Sequence, residues 1–158
     1  MKRLSGRTRL LLATLVAVAA AGVAGGIVLA GGDAGTSAGP AGIVARGPFK
    51  SVFWGTRGSA MIERMSSGKL VLRFDRDFTT RDAPDTLVYL VQYDPRTHHG
   101  NRGKYLLAGA LKNPYGGQHY DLPASAAQML HYSVEVYCAE CNKTQGIAKL
   151  QPTPLANS

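Results

Sequence analysis

"TLVYLVQY", residues 86–93, places Leu87, Tyr89, Val91 and Tyr93 on one side of an extended chain and Val88, Leu90 and Gln92 on the other. Successive side chains of a strand point to opposite faces, so this period of two predicts β-structure. Apolar residues on both sides predict a central strand, covered on both faces. Turn-formers frame the segment, with Ala83-Pro84-Asp85 before it and Asp94-Pro95 after it.

The same spacing recurs in both directions along the chain. In "KLVLRF" (69–74), Leu70, Leu72 and Phe74 share a face while Val71 and Arg73 take the other. "KYLLAGAL" (104–111) and "HYSVEVY" (131–137) follow the rule, and "IAKL" (147–150) supplies a short last strand. Ser67-Gly68, Asn113-Pro114, Gly116-Gly117 and Gly146 mark turns, and "PASAAQML" (123–130) has room for one helical turn. No apolar pattern in this region is long enough for a true helix. Short strands separated by turns predict an all-β domain, an antiparallel β-sandwich spanning 46–151.

The N-terminus is of another kind. Lys2, Arg3, Arg7 and Arg9 occur with no acid among them, and no charge follows until Asp33. A bilayer core is spanned by about 20 apolar residues, whereas the apolar region of a signal peptide runs about 7–15. Residues 10–30 therefore read as a transmembrane anchor, or as a cleavable signal ending near Val28-Leu29-Ala30 or Thr36-Ser37-Ala38. The basic residues 1–9 orient it with the N-terminus in the cytoplasm and the domain outside, secreted if the signal is cut. "GGDAGTSAGPAG" (31–42) opens a small-residue linker over 31–45 that cannot bury a core. Residues 152–158 read as a disordered tail.

Setting the four N-terminal cations aside from a formal net charge of +8 leaves +4, spread without a Lys/Arg run. That distribution excludes a nucleic-acid-binding stripe and suits a solvated surface with mild attraction for anionic envelope polymers.

Both cysteines lie in "VYCAEC" (136–141). Tyr132, Val134, Val136 and Cys138 are in phase and are expected to face the core, with Ser133, Glu135 and Tyr137 outward. A strand running straight on would carry the Cys141 Cα about 10 Å away. A disulfide needs about 7 Å or less, so Cys138 and Cys141 can bond only if Ala139-Glu140 turn the chain. Export favours oxidation, and a local disulfide leads over unpaired thiols and a functional redox pair. The thioredoxin context is missing, since no helix start follows the first cysteine, no cation lies between the two, and Glu140 does.

Other chemistry finds little support. Covalent haem attachment needs His after the second cysteine, where Asn142 stands. Zinc wants four ligands, and His98-His99, His119 and His131 form no second close pair with the one CxxC. No metal site is therefore predicted and no cofactor is required, although non-covalent haem stays open. Asp75 and Asp77 read as a solvated pair, and Ser59 as strand-edge polarity. No Gly-x-Ser-x-Gly elbow or phosphate loop occurs, and no catalytic constellation is identified. Trp54 reads as core or as a sheet-edge anchor.

"RGSAMIE", "GKLVLRF", "APDTLVYL", "LAGALKN", "GGQHYDLP" and "YSVEVYC" occur in an order that resembles the DM-thirteen domain, the electron transfer DM family, over about Gly47 to Leu150. The resemblance makes Pro84, Asp85, Gly109, Lys112, Gln118, Tyr120, Pro123 and Tyr137 family-motif positions with structural roles. It also implies a β-sandwich, often extracellular or membrane-anchored, with a redox-active cysteine at Cys138. Two departures stand out: Ala83 replaces a glycine, and Cys141 replaces an aromatic. The expected function is a membrane-tethered extracytoplasmic redox or electron-transfer domain centred on Cys138. Its partners would be the membrane, through its own helix, and envelope redox proteins or polymers. The alternative is a non-catalytic binding or adhesion module at the cell envelope.

Overall fold

A computed structural model describes residues 41–154. The expected anchor and signal (10–30), the basic N-terminus (1–9) and most of the linker lie outside the described residues. No helix among the described residues is long and apolar enough to cross a membrane.

The strands are β1 (Gly42–Ser51), β2 (Ser59–Arg64), β3 (Leu70–Phe74), β4 (Thr86–Val91), β5 (Tyr105–Ala110), β6 (Gln118–Leu122), β7 (Ser133–Cys138), β8 (Lys143–Lys149) and β9 (Gln151–Pro152). A single 3-10 turn, Ala124–Met129, occupies the stretch expected to be helical. All pairings between strands are antiparallel, in the order β5-β4-β7-β8-β1-β2-β3-β6, with β9 beside β1. β4 is paired on both edges, by β5 and β7, as its two apolar faces require. The domain is thus all-β and antiparallel, with a nearly closed, barrel-like sheet.

β1 makes the near-closure possible. Its first part pairs with β2 and β9, and its last three residues, Phe49 to Ser51, pair with β8. The change of partner falls at Gly47, where a Cβ would come within 2.0 Å of the Lys149 carbonyl oxygen. Only glycine lets the two backbones approach so closely. Phe49, Phe74 and Phe78 pack as a triad with ring centroids 4.5–5.3 Å apart, and they sit with Ile62, Leu72, Leu90, Val134 and Val136 in one apolar core.

Several expectations are corrected. β1 begins at Gly42, inside the stretch read as linker, because Val44 and Ala45 bury against the core. Pro152 belongs to β9 rather than to a frayed tail. "KTQG" is strand, so β8 is longer than "IAKL" and Gly146 is no turn. It lies mid-strand, where a Cβ would meet the Thr56 side chain at 2.5 Å. Gln145 is the extra residue of a bulge opposite Val136 and Tyr137, which hides its polarity inside the domain. Ser133 and Glu135, expected to face outward, are both buried, Glu135 completely.

Candidate functional site

Cys138 ends β7 in full burial, in phase with Tyr132, Val134 and Val136 as its spacing requires. Beyond it the chain does turn. Asn142 N–H donates to the Ala139 carbonyl at 3.2 Å, and Asn142 adopts φ 50°, a left-handed conformation that Asn tolerates better than most residues. The turn brings the two cysteine Cα atoms to 5.3 Å, and Cys138 and Cys141 are joined by a disulfide. The two cysteines are not equally buried. Cys138 has no exposure at all, whereas Cys141 is half-buried on a turn whose Ala139 and Glu140 are exposed.

The Pro84-Asp85 turn sits on this disulfide. Thr86 pairs with Cys138, Ala139 N–H donates to the Asp85 carbonyl at 3.0 Å, and the Pro84 carbonyl oxygen lies 3.5 Å from Cys138 Sγ. Cys141 N–H points at the same sulfur from 3.0 Å. The positive φ of this turn, 48°, falls on Asp85 and not on Ala83. The replacement of glycine by alanine is therefore not paid in strain.

A buried polar chain supports the turn from beneath. Thr56 and Thr80 share a hydroxyl contact of 2.8 Å, Thr80 Oγ1 donates to Gln145 Oε1 at 2.6 Å, and Gln145 Nε2 donates to Thr86 Oγ1 at 3.1 Å. Thr86 Oγ1 in turn donates to the Ala83 carbonyl at 2.8 Å. The sequence offered no sign of this chain, because bonded partners lie up to 65 residues apart.

On the outer face of β7, Glu135 is enclosed by the loop that follows β4. Arg102 reaches it with Nε at 2.5 Å and a terminal nitrogen at 3.2 Å, and Thr144 Oγ1 donates to it at 2.6 Å. The Arg102 guanidinium also lies over the Tyr137 ring at 4.2 Å and the Tyr89 ring at 5.3 Å. Burial alone would lower the Arg102 pKa, but the bonds to Glu135 hold it above its ordinary value. An acid in mid-strand, as in "SVEVY", is the one trace of this pair in the sequence.

Four more of the expected motif positions, Gly109, Lys112, Gln118 and Tyr120, meet at the seam where β5 approaches β6. Gln118 Oε1 accepts from Tyr120 Oη at 2.7 Å and from Lys112 N–H at 3.1 Å, while Gln118 Nε2 donates to the Asn113 carbonyl at 2.7 Å. Lys112 Nζ donates to the His119 carbonyl and lies 5.1 Å from the centre of the Tyr120 ring. Gly109 faces that ring, where a Cβ would stand in ordinary contact at 3.4 Å from Tyr120 Cδ1, and its φ of 150° is what favours glycine there. Burial pushes the Tyr120 phenol up to about 12, against a small lowering by Lys112 N–H. Pro123 is exposed at the start of the 3-10 turn. These positions do not surround Cys138; they tie the sheet's two ends together.

His98, His99, His119 and His131 are all exposed, with His98 stacked on Tyr93 at 4.6 Å. Among the described residues no group of three or more His, Cys, Asp or Glu side chains comes together. Trp54 is half-buried at the end of β1, edge-on to Phe53 and under Arg81 at 5.2 Å.

The family described as Electron transfer DM13 matches residues 48–150, from just after the Gly47 crossing to the last core residue of the β8–β9 corner. The chain belongs to this family. Comparison with curated proteins and with solved structures gives no match. The expected motif positions fall apart in space, with Pro84 and Asp85 against Cys138 and Ala139 and with Gly109, Lys112, Gln118 and Tyr120 at the seam.

Proposed function

We propose that this electron transfer DM13 domain is a membrane-tethered, extracytoplasmic thiol–disulfide module in which Cys138 and Cys141 exchange two electrons with a dithiol partner of the cell envelope. The family description supports the redox role, and the disulfide at the expected cysteine supports its location. The observation that carries the reading is the unequal burial of the two cysteines.

A thiolate attacks the sulfur it can reach. A partner thiolate would therefore attack Cys141 Sγ, forming a mixed disulfide. The Cys138–Cys141 bond breaks, and Cys138 leaves with the electron pair and takes a proton. Cys141 N–H already points at the departing sulfur, and the Pro84 carbonyl is placed to accept a hydrogen bond from the resulting thiol. The partner's second thiolate then releases Cys141. One disulfide has been reduced and one dithiol oxidised.

The tether reading rests on the basic residues 1–9 and the uncharged segment 10–30. β1 enters at Gly42 and runs toward Ser51, and Ser51, Gly146, Cys138 and Thr86 belong to one end of the sheet through successive pairings. In the same reading the domain is a β-sandwich whose two layers share β1.

The test is a redox titration of the purified domain, counting thiols by mass after alkylation. A reversible two-thiol transition in the folded protein is expected. Reduction that occurs only on unfolding would sink the proposal. Trapping adds a direction: Cys138→Ser should capture a dithiol oxidoreductase through Cys141, whereas Cys141→Ser should capture none.

A further inference from the structure

A cavity of about 240 Å³ opens on the outer face of β7 and β8, with Phe53, Arg96, Arg102, Tyr137, Asn142 and Lys143 among its lining residues. Tyr137 and Asn142, which adjoin Cys138 and Cys141 in the chain, line the cavity, and the cysteines themselves do not. Its lining contains three cations and no carboxylate.

The charges are already sorted. Arg96 is paired with Asp94, and Arg102 with the buried Glu135. Each of these pairs engages only part of a guanidinium's five N–H donors, so donors remain, but the two charges are neutralised. Lys143 has no carboxylate partner among the described residues, and its Nζ is held 5.1 Å from the centre of the Phe53 ring. Tyr137 Oη donates to Asn142 Oδ1 at 2.5 Å, which leaves the Asn142 amide N–H groups as further donors. The cavity therefore combines one uncompensated positive charge, several hydrogen-bond donors and an aromatic wall. A singly charged, planar acceptor matches that set. A phosphate dianion would be left half-neutralised.

We propose that this cavity holds a carboxylate carried by the thiol that reduces the Cys138–Cys141 disulfide. The proposal rests on the redox reading above and specifies its substrate class. A carboxylate seated near Lys143 would bring an adjoining thiolate toward Cys141, the less buried cysteine, and raise its local concentration there. Exchange then proceeds with the same electron balance as above.

The experiment measures how fast the oxidised domain is reduced by 3-mercaptopropionate and by 2-mercaptoethanol, at matched thiolate concentrations. In the native domain the carboxylate thiol should gain about fivefold over the neutral thiol, as expected for one partly screened charge pair. Lys143→Gln should remove that gain, and so should 1 M salt, which screens within about 3 Å. Any general slowing of both thiols cancels in the ratio. A ratio that is the same in native and Lys143→Gln protein would overturn the proposal. A second arm titrates propionate, which has no thiol, into the oxidised domain and follows the amide signals of Tyr137, Asn142 and Lys143 by NMR. Saturable shifts there, lost in Lys143→Gln, support the cavity even if no thiol reduces the disulfide, so the two readings can fail separately. Absence of such shifts counts against the cavity alone. The source of the carboxylate is separated by cysteine peptides carrying Glu or Gln beside the cysteine. A Glu preference larger than that for 3-mercaptopropionate assigns a protein segment, and one no larger assigns a small thiol.

Discussion

Two polar clusters each fasten a loop to this sheet, one with charge and one without. At Glu135 a fully buried carboxylate is answered by Arg102 and Thr144, and the loop carrying Arg102 closes over β7. At Gln118 a buried amide is answered by Tyr120 and by the backbone of Lys112 and Asn113, and the β5 end is drawn to β6. Both satisfy their polar atoms, so both look equally sound. They differ in what is left behind when one partner goes. An ion without its counterion keeps its whole desolvation cost, whereas a neutral group loses only hydrogen bonds.

The largest expected effect is therefore at the ionic cluster. Arg102→Ala strands the Glu135 carboxylate and should cost about 3–5 kcal/mol in a denaturant titration. Replacing the pair together, Arg102→Met with Glu135→Leu, should recover most of that loss, because no charge then stays buried. A cost below 1 kcal/mol for the single variant would mean that water reaches Glu135 and that the two clusters are alike. At the neutral cluster, Gln118→Ala takes the shared acceptor from Tyr120 Oη and Lys112 N–H and should cost about 1–3 kcal/mol. Loss of contact across the seam should be visible as faster hydrogen exchange at Lys112 and Asn113.

The contrast also explains what the sequence could and could not disclose. The faces of β3, β4 and β7 were legible because alternation is a local property of a strand. Cys138 was placed correctly for the same reason. Glu135 broke the alternation, and nothing near it said so, since its partner lies 33 residues upstream in a loop. Gln145 was hidden in the same way by Thr80 and Thr86, 65 and 59 residues away. β8 was read too short because "KTQG" looks like a turn when the residues that bury it are out of sight. At the seam, the motif positions were recognised before their purpose was. Gly109, Lys112, Gln118 and Tyr120 converge only when the sheet curls round and β5 approaches β6.

The disulfide ranks below both clusters in stability. Its four-residue loop constrains the unfolded chain little, and breaking it should cost about 2 kcal/mol at most. The reduced domain should remain folded, with Arg102–Glu135 and Gln118–Tyr120 intact, as judged by an unchanged near-UV spectrum. That outcome is needed for a disulfide that cycles. If reduction unfolds the domain, the bond is a brace and the redox proposal fails with it.

The smallest effect isolates the seam from everything else. Tyr120→Phe keeps the ring against Gly109 and removes only the hydroxyl that donates to Gln118 Oε1, so it should cost about 1 kcal/mol near neutral pH. Its pH dependence carries more information. Burial raises the phenol from an ordinary 10.0 to about 12 in the folded protein, so the native state holds this proton more tightly than the unfolded chain does. The stability that this provides is complete below pH 10 and is lost as the pH climbs toward 12. Subtracting the stability curve of Tyr120→Phe from that of the native protein should leave a decline confined to that window. A flat difference would mean that the phenol is open to water, and the seam would then be looser than the packing of Tyr120 against Gly109 requires.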